Sequence, residues 1–298
     1  IKSIMGILPG NAIIESGEIL YDGMDLTKVD EEDFHKIRGN RIGLIFQDPL
    51  SALNPIMKVG KQITEVLRLS KKLSKQEAEE RAIELMEAVG IPDAKRRFNQ
   101  YPFQFSGGMR QRVVIAIALA SEPEILICDE PTTALDVTVQ AKILEEINKI
   151  KEERNLSVIF ITHDLGVVAN MADKVNVMYA GKIVETGTSE EIFFEPAHPY
   201  TWALLSSMPD LQTKEKLLAI PGTPPNMLNP PKGDAFAARN QYAMEIDFEQ
   251  EPPYFKLSDT HFAATWLLHP KAPKVELPDV LKERIKRMKQ GGTINEWF

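Results

Sequence analysis

The apolar run Ile125-Leu126-Ile127-Cys128 ends directly on Asp129-Glu130-Pro131. A run this apolar and this short reads as a buried strand. Open α/β sheets place their ligands at the carboxyl ends of their strands, so two adjacent carboxylates there mark a candidate site. The flanking pattern agrees: 137–153 reads as a helix, 157–162 as a strand, 166–172 as a helix and 174–179 as a strand. Strand–helix–strand alternation predicts an α/β class chain with a mostly parallel core sheet.

Upstream the period changes. Residues 1–8 are apolar and helix-compatible, stopped by Pro9-Gly10, and 17–21 and 41–46 read as strands. From 59 to about 120 the periodicity is helical. Ser74 and Glu77 form a capping box, and Ala78, Ala82, Leu85, Met86 and Val89 share one face before Gly90 and Pro92 end the helix. A helical block over about 48–121 is therefore expected within the α/β core. Beyond 188, segments 189–194 and 200–207 look helical. Then Pro221, Pro224, Pro225, Pro230 and Pro231 rule out regular structure over their stretch. The expected organisation is a domain over 1–188 and a small, loop-rich extension over 189–298.

Charge and composition exclude several classes. A net charge of −8 argues against a general nucleic-acid binder, and no nucleic-acid partner is expected. The basic stretch 282–289 reads as a solvated helix face. The longest apolar run, 113–120, is well short of the ~20 residues that span a bilayer. Cys128 has no second cysteine to pair with, which fits a reducing cytoplasm.

Two segments carry chemistry. Asp129 can position Mg²⁺ through its waters, and Glu130 can act as general base on an attacking water, an effect worth roughly 10²–10⁴ in rate. A strand that merely ends in solvated acids is the plain alternative. The second segment is Phe105-Ser106-Gly107-Gly108-Met109-Arg110-Gln111-Arg112, leading into the apolar helix 113–120. Ser106 is a good N-cap, two glycines allow close backbone approach to an anion, and the helix start carries partial positive charge. A simple capped helix explains Ser106. It does not explain two glycines in a first turn, each costing ~1 kcal/mol.

Ser-Gly-Gly-Met-Arg-Gln-Arg placed before Asp-Glu-Pro resembles the signature motif of the ABC ATPases. The rest of that family's set follows in order. Gln47 matches the Q-loop glutamine. Asp129 and Glu130 match the Walker B aspartate and catalytic glutamate. Ala134-Leu135-Asp136 matches the D-loop, and His163 the switch histidine. Three further stretches resemble bacterial oligopeptide and dipeptide permease ATPases: Gln47-Asp48-Pro49-Leu50-Ser51-Ala52-Leu53-Asn54-Pro55, Thr132-Thr133-Ala134-Leu135-Asp136-Val137-Thr138-Val139-Gln140, and His198-Pro199-Tyr200-Thr201. Met109 resembles the D-type member of the two ATPases such permeases use.

The resemblance implies an ATP-hydrolysing subunit that energises peptide import, with ATP and Mg²⁺ as cofactors. Glu130, His163 and Gln47 would be catalytic, with Asp129 and Gln47 serving the metal. Ser106, Gly107, Gly108, Met109 and Asp136 would contact nucleotide, the signature residues in a partner's site. Implied partners are a second ABC ATPase in a heterodimer, two transmembrane permease subunits and an extracytoplasmic peptide-binding protein. The implied location is peripheral, on the cytoplasmic face of the membrane. Importers of nickel or another solute share these motifs, and a non-catalytic subunit is a further reading.

The sequence departs from the family in two places. No Gly-x-x-x-x-Gly-Lys-Ser/Thr string occurs: Gly60-Lys61 precedes Gln62, and Gly181-Lys182 precedes Ile183. The resemblance implies a phosphate-binding segment ahead of Ile1, about fifty residues long. Residues 1–298 alone are then expected to be inactive. The second departure concerns four cysteines that hold an iron–sulfur cluster in many D-type members. Asp234, Asn240, Asp247 and Thr265 stand at those positions, so no cluster is expected. Hydrogen bonds among these side chains are expected to tie the loop, an oxygen-ligated divalent cation being the alternative.

Overall fold

The computed structural model describes residues 1–48, 52–132, 135, 137–208 and 220–290. They form two compact units, Ile1–His163 and Asp164–Phe298. The expected boundary at 188 falls inside the second unit.

In the first unit, residues 1–7 make a single helical turn rather than a helix. Gly6 adopts a φ of +60°, and Gly6 N–H and Ile7 N–H close back on the Ser3 and Lys2 carbonyls. That pairing is a Schellman stop, which a left-handed glycine makes inexpensive. The expected strand 17–21 shortens to β1 (Leu20–Tyr21), paired with β2 (Met24–Asp25). Asp22 and Gly23 between them both have positive φ, the two-residue turn that matches strand twist. Helix α1 (Glu31–Ile37) begins at Asp30, whose side chain accepts from Asp33 N–H, with three acidic residues in its first turn.

Strands β3 (Ile42–Ile45), β4 (Ile125–Asp129) and β5 (Ser157–Ile161) form a parallel sheet in that order. Ile45 lies opposite Cys128, and Asp129 opposite Ile161, so all three strands end at one edge. Met5, Leu26, Phe34, Ile37, Ile42 and Ile127 make one hydrophobic core. Cys128 is fully buried, and desolvation pushes its thiol up to about 12.

The helical block comprises α2 (Val59–Lys71), α3 (Lys75–Ala88), the short α4 (Ala94–Arg97) and α5 (Gly107–Ala120). The Ser74–Glu77 capping box forms, and the predicted face Ala78, Ala82, Leu85, Met86 and Val89 is buried. Helices α2, α3 and α5 pack on one another, and α5 also packs on β3, which seats the block on the sheet. Helix α6 (Val137–Arg154) buries Ile143, Ile147 and Ile150 along one face.

The second unit opens with α7 (Leu165–Met171), where Asp164 caps the Gly166 and Val167 N–H groups. Segment 174–179 leaves the parallel pattern. It is β6 (Lys174–Tyr179), paired antiparallel with β7 (Lys182–Thr188). The reason is the two-residue Ala180-Gly181 turn, both residues at positive φ, since a parallel crossover needs a dozen residues or more. The sheet continues through β9 (Phe262–Ala264) to β8 (Tyr254–Lys256), in the order β6-β7-β9-β8. Residues expected in a loop-rich tail thus complete a sheet begun before 188. Helix α8 (Ser189–Phe194) packs on β6 and β7, α11 (Asp279–Gln290) packs on α8 and on α9 (Pro199–Ser206), and α10 (Glu245–Glu249) is a short helix of the same unit.

The basic stretch 282–289 is not wholly solvated. Leu281, Ile285 and Met288 join a core with Phe193, Trp202 and Leu205, and buried Arg284 donates to the carbonyls of Leu205 and Met208. Among the described residues, no helix is long and apolar enough to cross a membrane.

Candidate functional site

The parallel register carries three chain segments to one edge of the β3-β4-β5 sheet. Gln47 follows β3, Glu130 follows β4, and His163 follows β5. Gln47 Nε2 donates to Glu130 Oε2 at 2.9 Å, and His163 Nδ1 lies 3.2 Å from Glu130 Oε1. Each carboxylate oxygen therefore has its own partner. The Glu130 side chain is 25% exposed and that of His163 is 71% exposed, so the group faces solvent with its carboxylate partly sheltered. Asp129, half-buried, sits at the strand end beside it.

Glu130 also has a φ of +45°, in the left-handed region that side chains other than glycine avoid. Its N–H donates to the Ile161 carbonyl at 2.9 Å, which ties the turn to β5. Backbone strain held by neighbouring structure is characteristic of functional positions. The chemical capacity is that of an oriented base. Glu130 can accept a proton from a water on its open side, while Gln47 and His163 fix its plane.

The Ser106–Met109 segment forms the first turn of α5. Ser106 Oγ accepts from Met109 N–H at 3.3 Å, as the cap reading requires. The two glycines differ. A Cβ on Gly107 would meet nothing within 4 Å, so its backbone is open to an incoming group. A Cβ on Gly108 would lie 2.5 Å from Val139 Cγ1, so this glycine lets α5 and α6 approach. The remaining motif residues are anchors. Arg110 Nε donates to the Pro102 carbonyl at 2.8 Å. Arg112 Nη1 pairs with Glu146 Oε1 at 2.5 Å and donates to the Val89 and Gly90 carbonyls. Arg112 thereby joins α3, α5 and α6, a role that only a long-range contact reveals. Asp136, with Pro49, Leu50, Ser51, Thr133 and Ala134, lies outside the described residues.

The donor set at the strand ends fits a magnesium–nucleotide complex, since carboxylate and amide oxygens are the hard ligands Mg²⁺ takes. The four positions aligned with cluster cysteines do not fit an iron–sulfur group. Their donors are oxygens, and each is used locally rather than on the others. Asp234 Oδ1 accepts from Phe236 N–H at 3.0 Å, Asn240 Oδ1 from Tyr242 N–H at 3.0 Å, Asp247 Oδ2 from Met244 N–H at 2.7 Å, and Thr265 Oγ1 from Leu267 N–H at 3.3 Å. The expected side chain to side chain ties are replaced by these turn-closing bonds. The segments still meet, since Asp234 N–H donates to the Asp247 carbonyl at 2.7 Å. Among the described residues, no group of three or more His, Cys, Asp or Glu side chains is placed to hold a metal ion. Burial pushes the Asp234 carboxyl up to about 6, and burial also raises that of Asp247.

Sequence reasoning missed a buried ionic cluster in the second unit. Glu185, fully buried on β7, accepts from Ala197 N–H at 2.7 Å and His198 N–H at 3.1 Å. Its Oε1 also lies 2.7 Å from His261 Nε2. The Glu185 hydrogen bond raises the His261 pKa, whereas burial lowers that of His198 to about 4. Nothing local in the strand sequence marks Glu185, because its partners lie far along the chain.

Comparison with known proteins places these features in a family. Residues 1–133 match the ABC transporter family, and 184–246 match the oligopeptide/dipeptide transporter C-terminal region. The chain is 60% identical to the oligopeptide transport ATP-binding protein OppD of Bacillus subtilis, over 96% of this chain and 81% of that one. It is also 60% identical to the dipeptide transport ATP-binding protein DppD of Lactococcus lactis, over 97% and 83% of the two chains. Among solved structures, a dimeric ATP-binding cassette in a post-hydrolysis state with ADP and Pi aligns with a TM-score of 0.54 at 30% identity, covering 59% of this chain and 74% of that one. The cbiO1 subunit from Clostridium perfringens, part of the cbiONQ transporter complex, aligns with a TM-score of 0.56 at 29% identity, covering 65% and 73%. With the strand-end carboxylates, the glycine-bearing helix start and both family matches in one chain, the protein belongs to the oligopeptide/dipeptide branch of the ABC transporter ATP-binding subunits.

Proposed function

We propose that this chain hydrolyses ATP to drive peptide import through a membrane transporter, with Glu130 as the general base. The observation that carries the reading is Glu130 held at 2.9 Å by Gln47 and at 3.2 Å by His163 at the ends of three adjacent parallel strands. Bound Mg²⁺–ATP supplies the phosphoanhydride bond to be broken. Asp129 and Gln47 would hold the metal. The water oxygen would bond to the γ-phosphorus as the bond to ADP breaks, Glu130 would take the water's proton, and His163 would keep the carboxylate oriented. Gly107 and Gly108 present backbone N–H groups at a helix start, with Ser106 and Met109 beside them, suited to a phosphate in the site of a second subunit. Asp136 belongs to the same nucleotide interface in this reading.

The peptide assignment is supported by relatives named for oligopeptide and dipeptide transport at 60% identity. In this reading the partners are a second, different ATPase subunit, two permease subunits and an external peptide-binding protein. The chain sits peripherally on the cytoplasmic side. The test is peptide uptake by the full-length protein reconstituted with these partners in proteoliposomes. ATP-dependent accumulation of a labelled tripeptide supports the reading. Accumulation of nickel with no peptide uptake contradicts it.

A further inference from the structure

A second concave site lies wholly within the unit Asp164–Phe298. A cavity of roughly 440 Å³ opens beside the β6–β7 turn. Met178, Tyr179, Met227, Pro231 and Tyr254 give it apolar and aromatic walls. The two tyrosines are fixed in place. Tyr254 donates its hydroxyl to the Ile183 carbonyl at 2.5 Å, and the Tyr179 ring packs on Tyr200 and Phe236 with centroids 4.7 and 5.2 Å away. Apolar walls around a few polar groups, at this volume, are the usual form of a small-ligand site.

One ionisable side chain is set into that wall. Asp234 is only 8% exposed and lines the cavity. Its Oδ1 is taken by Phe236 N–H, while Oδ2 takes no hydrogen bond from any described residue. The surrounding charge is acidic. Asp247 and Glu251 both act on Asp234 through space; of the two cations near the walls, Lys182 is paired with Glu251, and Arg239 is engaged by the Tyr179 hydroxyl and the Pro221 carbonyl. A carboxylate in an apolar wall is costly without a cation to pair with it.

We propose that this cavity binds a small organic ammonium ion with an apolar body, the ammonium pairing with Asp234 Oδ2 and the body lying between Tyr179, Met227 and Tyr254. The exposed Tyr254 face adds attraction for the cation, while the Tyr179 ring already carries the Arg239 guanidinium 5.9 Å from its centroid. Two sources supply that chemistry: a free amine, and the α-amino end of a short peptide whose first side chain is apolar. The peptide source rests on the function proposed above, and the amine source is independent of it.

Titration calorimetry on the full-length protein decides the matter, with leucinamide and leucyl-leucinamide as probes and their N-acetylated forms as controls. At least one probe is expected to bind, and acetylation to weaken it by roughly tenfold or more, because the charge-assisted pair is lost. Asp234→Asn keeps the acceptor for Phe236 N–H and is expected to weaken the unacetylated probe by a similar factor. Met227→Trp, filling the cavity from its exposed mouth, is expected to abolish binding without touching Asp234. Preference for leucinamide assigns the free amine, and preference for leucyl-leucinamide assigns the peptide end. The proposal is overturned if neither probe binds, if the acetylated forms bind as well, or if Asp234→Asn leaves affinity unchanged. A transporter that failed to move peptides would leave the amine result standing.

Discussion

The two units handle charge in opposite ways. In Ile1–His163 the groups with chemical capacity stand at strand ends, where Glu130 and His163 keep solvent access. In the unit Asp164–Phe298 a set of ionisable groups is drawn inside. Glu185, His261, Asp234, Asp247 and Arg284 are all buried, and most have their polar atoms engaged by backbone. A parallel sheet gathers loops at one edge and so collects exposed side chains from distant positions. A small antiparallel sheet bordered by irregular segments must instead satisfy many buried backbone groups, and buried side chains supply the partners. The first arrangement is built to react, and the second to hold.

The contrast can be broken by experiment, starting with the largest effect. His261→Ala leaves Glu185 buried without its cation and is expected to cost about 3–5 kcal/mol. All three tryptophans, Trp202, Trp266 and Trp297, lie beyond Asp164, so urea unfolding followed by tryptophan fluorescence reads this unit alone. The same experiment carries a pH signature. The His261 pKa is raised by Glu185, with Glu191 and Glu195 adding to it. A raised histidine stabilises fully below its ordinary range near 6.5 and loses that contribution as pH rises through the elevated folded value. The variant should lose that part of the slope.

His163→Ala should act on rate rather than on stability, reducing ATP turnover by about 10²-fold while the melting midpoint by calorimetry stays put. A variant that instead unfolded the protein would place His163 with the holding groups. Asp234→Asn tests the converse point, that a buried acid can be a burden. Burial pushes its folded carboxyl up to about 6 against an ordinary 3.8, so stability falls as pH rises between those values. The asparagine variant should be more stable at pH 7, by up to about 3 kcal/mol, and gain nothing at pH 3. The smallest effect separates the two glycines. Gly108→Ala drives a methyl onto Val139 and should cost about 1–3 kcal/mol by calorimetry, whereas Gly107→Ala should stay within about 0.5 kcal/mol.

The sequence was most legible where local signals coincide with function. The run into Asp129-Glu130, the cap at Ser106 and the Ser74–Glu77 box each appear where the pattern put them. Gln47 and His163 are marked by the resemblance to the ABC ATPases, and the parallel strand ends explain why they meet Glu130. Long-range pairing was not legible. Strand β9 joins β7 across some 75 positions of chain, an interval no periodicity spans. Arg284 looked like part of a solvated basic face, yet it reaches the Leu205 and Met208 carbonyls, a contact set by packing of α11 rather than by composition. Gly108 looked like an anion-binding residue, and its close approach to Val139 belongs to helix packing as well.

The most direct measurement is the steady-state ATP turnover of Glu130→Gln in the full-length protein assembled with its partner subunits. The substitution keeps the shape of the side chain and removes its basicity. The account predicts a fall of roughly 10²–10⁴-fold with nucleotide still bound. Turnover at the wild-type rate would contradict it, and would move the proton-accepting role away from the ends of these three strands.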